Sequence, residues 1–119
     1  MTKRKEPTKE DRIKREIKRL DEIFRDLDQA TRASLDALIR RAAYMRVTLE
    51  DYEKDLDEKG YVEMFTQSER TPPYERERPV ARLYNSMMRN FQSVMKQLSD
   101  SVPDSVPEDV AKEIAEFIG

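Results

Sequence analysis

An unbroken stripe of apolar residues between Leu35 and Leu56 constrains the fold more than any other feature. Its members recur at steps of three and four, which places them on one face of an α-helix: Leu35, Leu38, Ala42, Met45, Leu49, Tyr52 and Leu56. Asp28 opens this segment, and Gly60 suits a helix stop. A helix over most of residues 28–59 is about 45 Å long, whereas a compact globule of this chain length is about 35 Å across. The sequence therefore predicts a helix that is longer than the diameter of a compact monomer.

Two further stripes predict helices on either side of the long one. The first contains Ile13, Ile17, Leu20, Phe24 and Leu27, preceded by Thr8 and Asp11 as a candidate cap. The other contains Val80, Tyr84, Met87, Phe91, Val94 and Leu98, between Pro79 at a helix start and Pro103. Residues 61–78 mix β-prone side chains with a Pro-Pro pair, which indicates a loop or a small β-hairpin. We expect an all-α protein, a long antiparallel helical hairpin with an N-terminal helix and a short C-terminal helix.

Wide apolar faces on the two long helices predict self-association. The residues expected in the core or in contacts between copies are Leu38, Met45, Leu49, Tyr52, Tyr84, Met87, Phe91 and Leu98. Additional apolar residues such as Ile39 and Leu83 widen both stripes, and a wide stripe requires more than one neighbouring helix. A monomeric three-helix bundle uses the same stripes and is the alternative to a homo-oligomer. The predicted segments are a basic N-terminal helical arm (1–27), a helical oligomerisation core (28–102) and an acidic C-terminal docking helix (103–119).

The residue types that are missing restrict the chemistry. The chain has no Cys, no His and two Gly residues. It therefore lacks the groups for disulfides, thiolate or imidazole metal sites, Cys/His nucleophile pairs and glycine-rich phosphate loops. We expect no catalytic residues, no metal and no cofactor, although composition alone leaves open a small enzyme that uses Lys, Tyr and carboxylates. No apolar run approaches the roughly 20 residues of a membrane span, which predicts a cytoplasmic protein without a membrane partner.

Charge is distributed unevenly along the chain. Residues 1–27 carry ten Lys or Arg against seven Asp or Glu, and residues 100–119 carry one Lys against six Asp or Glu. The cations of the first segment are candidates for contacts with DNA phosphates: Lys3, Arg4, Lys5, Lys9, Arg12, Lys14, Arg15, Lys18 and Arg19. Because no aromatic residue interleaves them in the sequence, we expect contact with the backbone of duplex DNA rather than base stacking on a single strand. A solvated helix with i,i+4 ion pairs explains the same residues equally well.

The acidic C-terminal segment predicts a second partner. Its apolar residues share one side of a short helix: Val110, Ile114, Phe117 and Ile118. The Ser/Asp/Pro-rich linker before this helix favours docking into a groove on a partner protein. The alternative is a fourth packing element of the same fold.

Several stretches of the sequence resemble the small subunit of tailed-phage terminases. They are Leu38-Ile-Arg-Arg-Ala-Ala-Tyr-Met-Arg-Val-Thr-Leu-Glu-Asp-Tyr, then Glu58-Lys-Gly and Pro79, then Leu83-Tyr-Asn-Ser-Met-Met-Arg-Asn-Phe, and finally Met95-Lys-Gln-Leu. The resemblance covers about residues 23–102. It implies a viral packaging protein in the host cytoplasm that forms a ring, binds viral duplex DNA and delivers it to the large terminase subunit. In such systems the large subunit carries the ATPase and the nuclease.

The N-terminal segment departs from this family pattern. Many small terminases carry a helix-turn-helix domain there, whereas the residues before Asp28 predict one helix, which is not enough for classical major-groove recognition. A reduced version formed by the first helix and the start of the second is the alternative. A helical adaptor or regulator that binds protein and no nucleic acid is the competing function.

Overall fold

The computed structural model describes residues 6–102 and 108–118. They form α1 Lys9–Ile23, α2 Gln29–Lys59, β1 Val62–Phe65, β2 Tyr74–Glu77, α3 Pro79–Asp100 and α4 Glu108–Ile118. The mostly helical class is confirmed, and the segment between the long helices contains a small antiparallel sheet. Lys3, Arg4 and Lys5 of the predicted DNA-binding arm lie outside the described residues.

Local side-chain chemistry sets the helix ends. At the start of α1, Thr8 Oγ1 accepts a hydrogen bond from the Asp11 amide at 3.1 Å, and Asp11 Oδ2 accepts one from the Thr8 amide at 3.2 Å. This capping box satisfies two amides at the helix start. At the start of α2, hydrogen bonds from the Thr31 hydroxyl and amide lower the pKa of the Asp28 carboxyl. Gly60 ends α2 with a φ of 81°, which glycine adopts without steric cost.

Helices α2 and α3 pack side by side in opposite directions. Asp55 near the end of α2 pairs with Arg78 just before α3, while Leu35 near the start of α2 shares a buried cluster with Leu98 near the end of α3. The radius of gyration is 19.4 Å, against about 13.5 Å expected for a compact chain of this length. The molecule is therefore elongated, because α2 runs for 31 residues without a break.

The hydrophobic core lies at one end of the molecule, where the four helices meet. Its buried members are Leu20, Phe24, Leu27, Leu35, Ile39, Ala42, Ala43, Met95, Leu98 and Ile114. Of the predicted core residues, Leu49 and Leu98 are buried, and the remainder are half-buried: Leu38, Met45, Tyr52, Tyr84, Met87 and Phe91. The core also includes Ile39 and Ala43, which are not among the eight predicted residues, and it combines side chains from all four helices.

The β-hairpin continues from the end of α2 that lies away from the core. Its register pairs Phe65 with Tyr74 and Glu63 with Arg76, so these four side chains share one face. On this face Arg76 Nε donates to Glu63 at 2.7 Å, and the Arg76 guanidinium carbon lies 3.5 Å from the centre of the Phe65 ring. The opposite face is solvent-exposed and consists of Val62, Met64, Glu75 and Glu77.

Candidate nucleic-acid interface

Charged side chains hold α1 against α2. The Arg12 guanidinium pairs with Asp51 of α2. On the same helix Arg19 Nε donates to Glu16 at 2.9 Å, and Glu16 also lies 3.7 Å from the Arg46 guanidinium on α2. Arg12 and Arg19, both predicted to bind DNA, therefore already have carboxylate partners within the protein.

Three other predicted cations of α1 point to solvent. Lys14, Arg15 and Lys18 are all exposed. Lys14 Nζ lies 3.5 Å from Glu10, an exposed i,i+4 pair of the kind that contributes little stability. Arg15 and Lys18 make no ion pair with any residue that the structure describes. The outward side of α1 therefore offers positive charge to an anionic ligand.

Lys9 contacts an aromatic ring of α2, which the sequence pattern does not predict. Its ammonium nitrogen is 4.6 Å from the centre of the Tyr44 ring on α2, within the range of a cation–π contact. Tyr44 is 49% exposed, and the exposed Arg40 and Arg41 precede it by one helical turn. Sequence reasoning missed this aromatic residue because its contact with Lys9 depends on how α1 lies on α2. Hydrophobic periodicity carries no information about that placement.

A surface groove of about 530 Å³ lies beside α1, on the side that α4 approaches. The residues that line it carry both signs of charge: Arg15, Lys18, Arg19, Glu22, Ile23, Arg25, Asp26 and Glu113. Arg25 pairs with Glu22, and the hydrogen bond and charge of Glu22 raise the pKa of the Arg25 guanidinium. Arg15 and Lys18 also belong to the outward side of α1, and on the groove side Glu22, Asp26 and Glu113 offset part of their positive charge.

The structure places Ile114, a predicted docking residue, in the hydrophobic core. Ile114 is 1% exposed and shares the cluster formed by Leu20 and Phe24 of α1 and Leu98 of α3. Burial in the same chain removes this apolar side chain from water, so in this arrangement it is not available to a partner. The side chains of the other three docking residues, Val110, Phe117 and Ile118, lie outside the described part of the chain.

The described residues provide neither a cluster of metal ligands nor a membrane-spanning helix. Within residues 6–102 and 108–118, no group of three or more His, Cys, Asp or Glu side chains is arranged to hold a metal ion. Across those same ranges, every helix is too short or too polar to cross a bilayer.

Comparison with known proteins identifies no relative of this chain. No protein-family model, no curated protein and no solved structure matches this chain. The likeness to terminase small subunits therefore stays a prediction that rests on the quoted residues.

Proposed function

We propose that this chain is a non-catalytic DNA-binding protein of the terminase small-subunit kind. It assembles as a ring of identical copies, binds viral duplex DNA and delivers it to the large terminase subunit. The observation that carries the proposal is the outward side of α1, where Lys14, Arg15 and Lys18 are exposed to solvent. A cationic helix face attracts phosphates by charge and positions a duplex without reading its bases.

The hairpin and the elongated shape support the self-association part of the proposal. Tyr61, Val62, Met64 and Tyr74 are large apolar residues of the hairpin segment, and all four are exposed. A lone two-stranded hairpin is marginally stable in water, and Val62 and Met64 place two exposed apolar side chains on one face, a feature that commonly marks a protein contact. We expect this segment to pack against a neighbouring copy in the assembly.

The proposed contact with the large subunit uses the polar side of α4. The exposed residues there are mostly acidic: Glu108, Asp109, Glu113 and Glu116. Among the side chains of α4 that the structure describes, Ile114 is buried and these carboxylates are exposed, so the large subunit is expected to present a basic surface.

The DNA-binding part is tested by titrating a labelled duplex with the protein at several salt concentrations. Each phosphate that the protein neutralises contributes about −0.9 to the slope of log K against log salt. Replacing Lys14, Arg15 and Lys18 together with Gln should weaken binding and make the slope shallower by about 0.9 for each phosphate that is no longer neutralised. Because the three side chains are exposed, the fold should be retained, which circular dichroism verifies.

A matched control removes the same charge elsewhere. Lys54, Arg89 and Lys96 are equally exposed but lie on α2 and α3, so their replacement with Gln changes the net charge identically. If both triple variants show the same reduction in affinity, binding depends on net charge alone and α1 is not the interface. Absence of duplex binding by the unmodified protein at low salt rules out the proposal.

Self-association is tested by native mass spectrometry. A closed assembly of several copies agrees with the proposal, and a monomer at micromolar concentration contradicts it. The double variant Val62→Ser with Met64→Ser should dissociate the assembly, whereas Tyr44→Ser should not, since Tyr44 is also exposed but lies on α2, outside the hairpin and the apolar stripes.

The competing function is a helical adaptor that binds protein and no nucleic acid. It is favoured by the engagement of Arg12 and Arg19 in ion pairs inside the molecule, which reduces the charge available to DNA. An oligomer that fails to bind duplex at low salt points to this alternative.

A further inference from the structure

The cation–π contact between Lys9 and Tyr44 joins two features that lie far apart in the sequence. Lys9 is the first residue of α1, and Tyr44 lies in the middle of α2. About half of the Tyr44 surface remains exposed beside the lysine. An aromatic ring is therefore presented to solvent within reach of a positive charge.

A second cation lies next to the same ring. Arg40 and Arg41 precede Tyr44 by four and three residues, and side chains at these spacings are neighbours on a helix surface. Arg40 is engaged, since its Nε lies 3.1 Å from Asp36. Arg41 and Lys9 make no salt bridge with the residues that the structure describes. Of these two cations, Lys9 lies over the ring, and Arg41 is placed one helical turn before it by the sequence spacing.

This combination is suited to unpaired nucleotides. In a duplex the faces of the bases are stacked on one another, so an exposed tyrosine ring adds little to duplex binding. In a single strand the base faces are free, and stacking on an aromatic side chain supplements the attraction of phosphates to cations. We infer that Lys9, Arg41 and Tyr44 form a binding site for single-stranded nucleic acid, with a base stacked on Tyr44 and the adjacent phosphates contacted by the two cations.

The exposed tyrosines of the hairpin show that exposure alone does not make such a site. Tyr61 is 55% exposed and Tyr74 is 47% exposed. Their segment carries Glu63, Glu75 and Glu77, whose charges repel phosphate, and the one arginine within the strands, Arg76, is paired with Glu63. An exposed tyrosine without adjacent unpaired cations therefore does not meet the requirements of such a site.

The inference rests on the proposed nucleic-acid binding and adds single-stranded nucleic acid as a second ligand. The test measures binding of a labelled 12-nucleotide oligo(dT), the corresponding oligo(U) and a 12-base-pair duplex to the full chain, by fluorescence anisotropy at low salt. Tyr44→Leu should weaken oligo(dT) binding roughly tenfold or more while changing duplex binding little. Tyr44→Phe, which keeps the ring, should retain binding and is the matched control.

Salt dependence separates stacking from charge. Tyr44→Leu should leave the salt slope for oligo(dT) unchanged, because stacking of a base on the ring is not ionic. Lys9→Gln and Arg41→Gln should each reduce that slope by about 0.7, the value for one phosphate contact on a single strand. An equal reduction in affinity for duplex and oligo(dT) in Tyr44→Leu would show that the residue supports the fold rather than stacks on a base, and would overturn the inference.

The outcomes also distinguish this inference from the proposed function. Duplex binding with no measurable oligo(dT) or oligo(U) binding overturns the Tyr44 site and leaves the proposed function intact. Absence of binding to all three probes overturns both. If oligo(dT) and oligo(U) bind equally, the site recognises base and phosphate alone. A preference for oligo(U) adds a contact with the 2′-hydroxyl.

Discussion

Arg78 donates a hydrogen bond from its guanidinium to Asp55 Oδ2 at 2.7 Å, which joins the start of α3 to the last turns of α2. The same guanidinium donates to the Gly60 carbonyl at 2.6 Å, and the Arg78 amide donates to the Tyr61 carbonyl at 2.8 Å. With its side chain 14% exposed, Arg78 ties together both chain segments at the base of the hairpin.

Replacing Arg78 with Met should lower the free energy of unfolding by about 1–2 kcal/mol. The methionine keeps an apolar stem but removes the guanidinium donors to the Gly60 carbonyl and the Asp55 carboxylate. Urea denaturation measures the change. Arg82→Met is the control, because the Arg82 side chain is 84% exposed and lies 3.7 Å from Glu77 in a solvent-screened pair. Equal stability of the two variants would contradict the role assigned to Arg78.

The lowered pKa of Asp55 predicts that part of the protein's stability is lost at acid pH. The hydrogen bond from Arg78 lowers the pKa of this carboxyl in the folded protein, so the native state binds the proton less readily than the unfolded chain, where Asp has a pKa of about 3.9. The contribution is present above that value and disappears as the pH falls through the folded pKa. Asp55→Asn should be less stable than the unmodified protein at neutral pH, and the difference should shrink below about pH 4. Urea denaturation of both proteins over this pH range measures the difference in their free energies of unfolding. A difference that does not change with pH would contradict the prediction.

The raised pKa of the Tyr84 hydroxyl predicts that part of the protein's stability is lost at alkaline pH. It donates to Glu53 at 2.8 Å, and this hydrogen bond, with desolvation and the charge of Glu53, raises the pKa of Tyr84 to about 12. The native state therefore holds the proton more tightly, and the stabilisation is present below about pH 10 and lost as the pH rises through about 12. An absorbance titration of the folded protein should show one ionisation near pH 12 that is missing in Tyr84→Phe. A titration curve for Tyr61→Phe should keep that step.

Ile114→Ala should destabilise the protein by about 2 kcal/mol or more. Ile114 is 1% exposed in the shared core, so truncation leaves a cavity and removes apolar burial. Leu83→Ala is the control, since Leu83 is 54% exposed and its truncation should cost less than about 0.5 kcal/mol. Thermal unfolding followed by circular dichroism compares the two. A neutral Ile114→Ala would mean that α4 contributes little to the core and is free to engage another protein.

The helices could be predicted from the sequence because their signals are local. The Asp28 side chain caps α2 by accepting a hydrogen bond from the Thr31 amide, and Gly60 ends that helix with a positive φ. Thr8 and Asp11 form the capping box of α1. Each of these signals acts within three or four residues. The apolar stripes likewise follow from helical spacing, and two of the eight residues predicted for the core or for contacts between copies, Leu49 and Leu98, are buried. The hairpin remained one of two alternatives in the sequence, because four-residue strands leave a weak pattern.

The candidate site was predicted only in part. The sequence identified the cations of α1, and helical spacing places Arg15 and Lys18 opposite the apolar stripe of that helix. Spacing within α1 does not show that Arg12, beside the stripe, pairs with Asp51 of α2.

The sequence by itself determined the helices, their caps, the absence of Cys and His, and the basic character of the first segment, since all of these are set by residue identity and by contacts within a few positions. Tertiary structure alone decided that Ile114 is buried, that Arg12 pairs with Asp51, and that Lys9 lies over Tyr44. Those contacts join residues on different helices. They depend on which sides of α2 are covered by α1 and α3, and hydrophobic spacing within one helix does not specify the position of its neighbours.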